Sequence, residues 1–341
     1  MFASVFPDPQ IFIPGQGEPT LRWGVIGPGW IADMFVGAMR RHTAQRVVAV
    51  SSRALDRAEA FAGRHGIDRA YASAEELVGD PGVDVVYIAA TQNEHRSLAL
   101  QAIAAGKHVL VEKPIAMTAA DAREVLDAGR AAGVFVMEAM WSRYQPKASV
   151  IRQLVADGAL GEIRHVTADH GQWFPPEHRL FRADLGGGAL FDLGIYPVQL
   201  DSMVLGAPDE VTAIGAMTDT GVDAHATVVL AHGAAQSTLW TSMIARTPTR
   251  GLIAGSEASL ELEGPFHIPA DMVLSGNPFM GEQHVWHDPT GVGLMDALCW
   301  EATALARYVG EGRHESPLHT HAETASIIAT LEEALRQIRD A

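Results

Sequence analysis

Between residues 21 and 140 short apolar runs alternate with stretches whose apolar residues recur at helical spacing. Residues 22–26 read as a buried strand, 31–40 as the helix after it, 46–50 as a second strand and 54–65 as a second helix. A third strand is expected at 83–89, a helix at 97–105 closed by Gly106, a fourth strand at 108–111, a helix at 119–132 and a fifth strand at 134–137. Strands separated by helices of this length build βαβ units, so the expected fold is α/β, a doubly wound parallel Rossmann sheet. Right-handed crossovers leave few topologies for it.

After Pro146 the pattern changes. One helix at 148–157 precedes strand-like segments at 163–168, 210–217, 224–231, 236–243 and 258–262, and helices near 294–308 and 322–338 close the chain. The segments on either side of His232-Gly233-Ala234 form a hairpin signal. Strands followed by helices suggest an α+β second domain with a large, mostly antiparallel open sheet. The expected division is an N-terminal extension at 1–20, a dinucleotide-binding domain at 21–143, and a substrate-binding and oligomerisation domain at 144–341.

Composition narrows the partners. The 341 residues are 48 % hydrophobic and 19 % charged, with net charge −16, a globular balance that argues against nucleic acid or an anionic membrane surface as partner. The single cysteine, Cys299, excludes an intramolecular disulfide and a multi-cysteine metal site, and its apolar neighbours suggest a buried thiol. No stretch approaches the ~20 apolar residues of a membrane span. The N-terminus lacks a basic n-region and carries Pro7, Pro9 and Pro14, so a cytoplasmic protein is expected; the extension reads as a tail or as an arm on a neighbouring subunit.

The chemistry begins at Gly27-Pro28-Gly29-Trp30-Ile31-Ala32, a G-x-G-x-x-G/A pattern between a strand and a helix. The first glycine makes the tight turn, the second admits a pyrophosphate to the backbone, and the small Ala32 lets helix and strand pack closely. NAD-preferring sites place a carboxylate at the end of the second strand. Here that strand runs into Ser51-Ser52-Arg53, with Arg57 one turn on, so a hydroxyl and guanidinium groups stand ready for a 2′-phosphate. NADP is therefore favoured over NAD.

Ala105-Gly106-Lys107-His108-Val109-Leu110-Val111-Glu112-Lys113-Pro114 resembles the A-G-K-H-V-x-x-E-K-P signature of the glucose–fructose oxidoreductase, inositol dehydrogenase and rhizopine-catabolism (Gfo/Idh/MocA) family. The loop Ala90-Thr91-Gln92-Asn93-Glu94-His95 keeps the histidine of the family's T-P-[NH]-x-x-H but changes the positions before it. Gly186-Gly187-Gly188-Ala189-Leu190-Phe191-Asp192-Leu193-Gly194-Ile195-Tyr196-Pro197 is similar to a second family motif, with tyrosine where many members have histidine. That tyrosine, with Glu138 to Tyr144 and Glu177 to Phe181, resembles the branch of dimeric dihydrodiol dehydrogenase and NADP-dependent D-xylose 1-dehydrogenase. The resemblance runs from about Leu21 to the C-terminus. It implies cofactor contacts from Gly27, Gly29, Trp30, Ile31, Ser52, Arg53, Arg57, Ala90, Gln92, His95, Glu112 and Lys113.

It also implies hydride exchange between the nicotinamide and a hydroxyl-bearing carbon, for which the protein must orient the carbon and move the hydroxyl proton. A phenol of reference pKa near 10 is a poor base until an ammonium favours its phenolate. Tyr196 as proton donor or acceptor and Lys113 as its electrostatic partner fit this need, and Asp192, four residues before Tyr196, is expected on the same helix face to orient the substrate hydroxyl or Lys113. Trp141, Arg143, Tyr144, Trp173, Arg179 and Phe181 are candidates to line a sugar or diol pocket, although core packing explains the aromatics equally well. His314, His319 and His321 have spacing that zinc can use, but they lie in a Pro-containing connection and no metal is expected.

The favoured function is an NADP-dependent dehydrogenase or reductase of CH–OH groups, acting on a sugar or cyclic diol as a homodimer or homotetramer joined through the second sheet. The alternatives are a non-catalytic sensor of dinucleotide or sugar, an NAD-dependent inositol or sugar dehydrogenase, and an oxidoreductase that never releases its cofactor.

Overall fold

Six parallel strands carry the first part of the chain in the computed structural model, which describes residues 5–278 and 281–341. They are β1 (Arg22–Ile26), β2 (Arg46–Ser51), β3 (Arg69–Tyr71), β4 (Val85–Ile88), β5 (His108–Glu112) and β6 (Val136–Ala139), arranged β3-β2-β1-β4-β5-β6. Helices α1 (Trp30–His42), α2 (Leu55–His65), α3 (Ala74–Val78), α4 (His95–Ala104) and α5 (Ala119–Ala132) connect them. The order reverses between β1 and β4, the switch point where Rossmann sheets take their ligands. β4 is buried along its whole length, which is why it reads as an unbroken apolar run. The strand additional to the five expected, β3, has three half-buried residues and is too short to leave a period in the sequence. Helix ends follow local chemistry: the Thr118 hydroxyl accepts from the Asp121 N–H at the start of α5, and Gly133 takes φ 69° after its end.

The second sheet has eight strands. After α6 (Pro146–Ala156) come β7 (Ile163–Gly171), α7 (Ile195–Leu205), β8 (Glu210–Met217), β9 (Asp223–His232), β10 (Ala235–Ser242), β11 (Gly251–Gly255), β12 (Ala258–Leu262), β13 (Met272–Gly276) and β14 (Gln283–Trp286). Their order is β14-β13-β12-β11-β7-β10-β9-β8, antiparallel among the described residues except for the parallel pair β7–β10. The expected hairpin is β9–β10. β11, β13 and β14 are additional to the strands read from sequence. Helices α8 (Cys299–Gly310) and α9 (His321–Asp340) follow. Among the described residues no helix is long and apolar enough to cross a membrane.

Two compact units result. Phe12–Tyr144 joins Gly293–Ala325, and Gln145–Val292 joins Ser326–Ala341 and the described residues up to Ile11. Residues 293–325, assigned by sequence to the second domain, thus belong with the parallel sheet. Specific contacts hold them there: Arg41 and His42 both reach Asp296, Tyr308 stacks on Phe135 at 6.1 Å, and the Tyr144 hydroxyl donates to Ser316 Oγ at 2.9 Å. Described residues of the N-terminal extension make contacts within the chain. Phe12 is buried against the edges of Tyr144 and Tyr308, and the Gln10 N–H donates to Ser149 Oγ at 2.7 Å.

Candidate active site

The carboxyl ends of β1, β2, β4 and β5 gather the residues expected at a dinucleotide. Gly27 has φ 91° and a Cβ on it would lie 2.7 Å from the Ala89 carbonyl oxygen, so the turn admits no side chain. A Cβ on Gly29, by contrast, meets nothing within 4 Å. α1 starts directly after Gly29 with no side-chain cap, which leaves its first N–H groups for an anion. Ile31 is half-buried, Trp30 is exposed, and Ala32 is fully buried against the sheet. At the end of β2, Ser51 Oγ is buried without a hydrogen-bond partner among the described residues. Ser52 Oγ accepts from the Ala54 N–H, Arg57 is exposed, and Arg53 is 86 % exposed, with its guanidinium 2.8 Å from the Glu94 carboxylate.

The loops after β4 and β5 are joined by His95. Its Nδ1 lies 2.7 Å from the Pro114 carbonyl oxygen and its Nε2 3.1 Å from that of Ala90, while burial lowers its pKa. His95 thus braces the Ala90 and Pro114 carbonyls together. Gln92 is buried beside it. Glu112 is similarly turned inward: its carboxylate accepts from the Tyr87 hydroxyl and from the Lys113 N–H. Lys113 itself is half-buried. Glu138, absent from the candidates, anchors the same turn by accepting from the Ile115 N–H at 2.8 Å and facing His319 Nε2 at 2.9 Å. A lone acid in the apolar run Val136-Met137-Glu138-Ala139-Met140 was its signal.

Three residues expected at a pocket are buried. Trp141, Arg143 and Tyr144 lie on one 3₁₀ turn and are all buried. Arg143 is 1 % exposed and meets the Glu323 carboxylate at 3.1 Å and the Leu318 carbonyl at 3.3 Å. A buried guanidinium needs such acceptors. His321 Nε2 lies 2.9 Å from the Val136 carbonyl oxygen, so His319 and His321 are drawn to β6 by different partners. Among the described residues no group of three metal-ligating side chains is present.

The second motif builds its site within the other unit. A Cβ on Gly187 would lie 2.3 Å from the Leu180 carbonyl oxygen, and one on Gly188, at φ 123°, 2.2 Å from Asp223 Oδ1. The Asp223 carboxylate in turn accepts from the Leu190 N–H at 2.7 Å. The chain then makes a π-helical segment, Leu190–Gly194, before α7, a wide turn common at functional sites. Asp192 lies within it, 7 % exposed, and accepts from the Arg179 guanidinium at 3.0 Å. Tyr196, the second residue of α7, is 7 % exposed. Its ring lies 4.5 Å from that of His267 and 5.5 Å from that of His170, neither of them a candidate from sequence. Phe181 packs on the cluster of Leu180, Leu193 and Met243, whereas Trp173 is 61 % exposed.

The residues of the first unit fit a dinucleotide. The open face of Gly29, the uncapped α1 terminus and the orphaned Ser51 hydroxyl would take its phosphates and ribose, with Arg53 beyond them. Comparison with known proteins agrees. Residues 21–140 match the family model described as an oxidoreductase family with NAD-binding Rossmann fold, and residues 148–261 match the GFO/IDH/MocA C-terminal domain. The chain is 34 % identical to trans-1,2-dihydrobenzene-1,2-diol dehydrogenase of Xenopus laevis over 93 % of its own length and 98 % of the relative's. Identity to the Danio rerio enzyme of the same name is 35 %, over 94 % and 97 %. Among solved structures, a 3-ketoreductase from Actinomadura kijaniata in complex with NADP and TDP-benzene superposes with TM-score 0.82 at 26 % identity, covering 93 % of this chain and 97 % of that one. With both domains matched in order and relatives aligned from end to end, the chain belongs to the Gfo/Idh/MocA oxidoreductase family.

Proposed function

We propose that this protein transfers hydride between NADP and a hydroxyl or carbonyl carbon of a cyclic diol or sugar, with Tyr196 as proton donor or acceptor and Lys113 as its electrostatic partner. The observation that carries the reading is the setting of Tyr196: a buried phenol at the start of a helix, one turn after an Asp192 already oriented by Arg179. Relatives named for a dihydrodiol substrate favour the cyclic diol. The exposed Arg53 beside Ser52, with no carboxylate ending β2, favours NADP.

When bound, the nicotinamide supplies or accepts the hydride. Tyr196 takes the proton from the substrate hydroxyl, or returns it to the carbonyl oxygen, with the Lys113 ammonium as its proposed electrostatic partner. Asp192 orients the hydroxyl. The reading takes the protein as cytoplasmic. It also takes it as a homodimer or homotetramer, because an open, mostly antiparallel sheet leaves a face to be covered; light scattering gives the mass.

A panel of aldoses, inositols and trans-diols followed by NADPH absorbance tests the substrate class, and cyclic diols are expected to turn over fastest. Tyr196→Phe is expected to lower kcat by about 10²–10⁴-fold, the usual worth of a positioned acid or base. NADP affinity should be nearly unchanged, and a fully active variant would overturn the assignment.

A further inference from the structure

The Tyr196 ring is one of three packed together. His267 lies against it at 4.5 Å and 33°, His170 at 5.5 Å and 49°, and the two imidazoles stack on each other at 4.5 Å and 24°. His170 sits on β7 and Tyr196 on α7, both regular elements. His267 instead lies on the connection between β12 and β13, where the backbone has no ladder to fix it. Other bonds fix it. The Gln145 side-chain amide donates to the His267 carbonyl at 2.8 Å, the Lys147 ammonium donates to the Ile268 carbonyl, and the Phe266 N–H donates to the Thr249 carbonyl at 2.8 Å.

Lys147 is an expensive choice for this purpose. It is 3 % exposed, and burial brings its pKa down to about 7. An amine buried to hold a loop carbonyl marks that loop as one whose position matters. The phenol of a tyrosine turns about two side-chain torsions, and rings packed on its faces restrict both.

We propose that His267 is a positioning residue for Tyr196: its imidazole, backed by His170 and fixed through the loop backbone by Gln145 and Lys147, holds the phenol in the orientation its proton transfer requires. The proposal rests on the catalytic reading of Tyr196, and the test separates the two.

His267→Ala, His267→Phe and Tyr196→Phe are compared in the full chain, using NADP and the fastest substrate of the panel. His267→Ala should lower kcat about 10- to 100-fold with NADP affinity held within about 2-fold, the pattern of a reacting group displaced without loss of binding. His267→Phe, which keeps a ring, should restore kcat to within about 3-fold of wild type. A second readout needs no substrate. The chain has five tyrosines, so ring ¹³C labelling with Tyr196→Phe as reference identifies the Tyr196 resonance. That resonance should move toward the free-tyrosine value in His267→Ala and return in His267→Phe.

An unchanged kcat and resonance in His267→Ala would overturn the proposal. Equal losses in His267→Ala and His267→Phe would also overturn it, by assigning the effect to an imidazole nitrogen. Should His267→Ala fail to fold, Gln145→Ala, which removes no ring atom, should shift the resonance the same way and lower kcat by a smaller factor; no change refutes it. An active Tyr196→Phe defeats the catalytic reading alone, because the resonance still reports whether His267 positions the ring.

Discussion

Two glycine-rich turns in this chain have opposite surroundings. In Gly27-Pro28-Gly29 the last glycine faces open space, with nothing within 4 Å of a Cβ built on it. In Gly186-Gly187-Gly188 the space is filled, by the Leu180 carbonyl oxygen at 2.3 Å from one such Cβ and by Asp223 Oδ1 at 2.2 Å from the other. The first turn leaves room for a ligand's backbone contact. The second spends its room on the protein, drawing loop and β9 together so that Asp192 and Tyr196 leave it in a set direction. Glycine spacing alone does not separate these uses; what stands opposite the missing side chain does.

The largest expected effects come from adding one methyl group to each turn. Gly188→Ala must hold φ 123° and push into a buried carboxylate, which together cost at least about 3 kcal/mol. A melting temperature lower by roughly 5–10 °C, or insoluble protein, is expected. Gly29→Ala meets neither problem, since Gly29 has φ −92° and open surroundings. Its melting temperature should stay within about 1 °C of wild type, while on the proposed reading dinucleotide affinity falls about 10- to 100-fold because the methyl would stand where a pyrophosphate approaches. If Gly188→Ala kept its stability, or Gly29→Ala kept its affinity, the contrast between the turns would collapse.

A smaller effect sharpens the ligand side of the contrast. Arg53 is held by Glu94 at 2.8 Å while 86 % exposed, and an exposed pair of this kind contributes only about 0–1 kcal/mol. A 2′-phosphate should therefore displace Glu94 readily. Arg53→Ala is expected to weaken NADP about 10-fold and NAD less than about 2-fold, with little change in stability. Glu94→Gln should strengthen NADP modestly. Equal losses for both cofactors in Arg53→Ala, measured by fluorescence titration, would remove the 2′-phosphate from the account.

The parallel sheet was largely legible, because β1, β2, β4 and β5 are buried enough to leave apolar runs bounded by turn residues. β3 was not, having three residues of intermediate burial, nor was β11, whose Gly251-Leu252-Ile253-Ala254-Gly255 puts a residue that breaks strands at each end. The glycine turn, Lys113, Asp192 and Tyr196 were candidates because each sits in a local motif. His170 and His267 have no such motif, since only the closure of the second unit sets their rings on Tyr196. Arg143 and Tyr144 show the converse: residue types suited to a sugar pocket also suit a buried, hydrogen-bonded corner. The shared helix face expected of Asp192 and Tyr196 passes through a π-helical segment that four-residue spacing does not anticipate.

The least drastic change tests the filled turn through its carboxylate. Burial raises the Asp223 pKa above the ordinary 3.8, partly offset by the Leu190 N–H it accepts. A carboxyl whose folded pKa is raised keeps its proton in the native state to higher pH than in the unfolded chain. Its contribution to stability is therefore fully present below the unfolded value near 3.8 and is lost as pH rises through the folded value. Asp223→Asn keeps an oxygen acceptor for the Leu190 N–H but cannot ionise, so it should cost less than about 1 kcal/mol and should flatten the pH dependence of unfolding above pH 4. Asp223→Ala leaves the Leu190 N–H without its acceptor, at about 1–3 kcal/mol. If Asp223→Asn were as damaging as Asp223→Ala, the negative charge, rather than the fit of an acceptor against a glycine, would be what the second turn is built around.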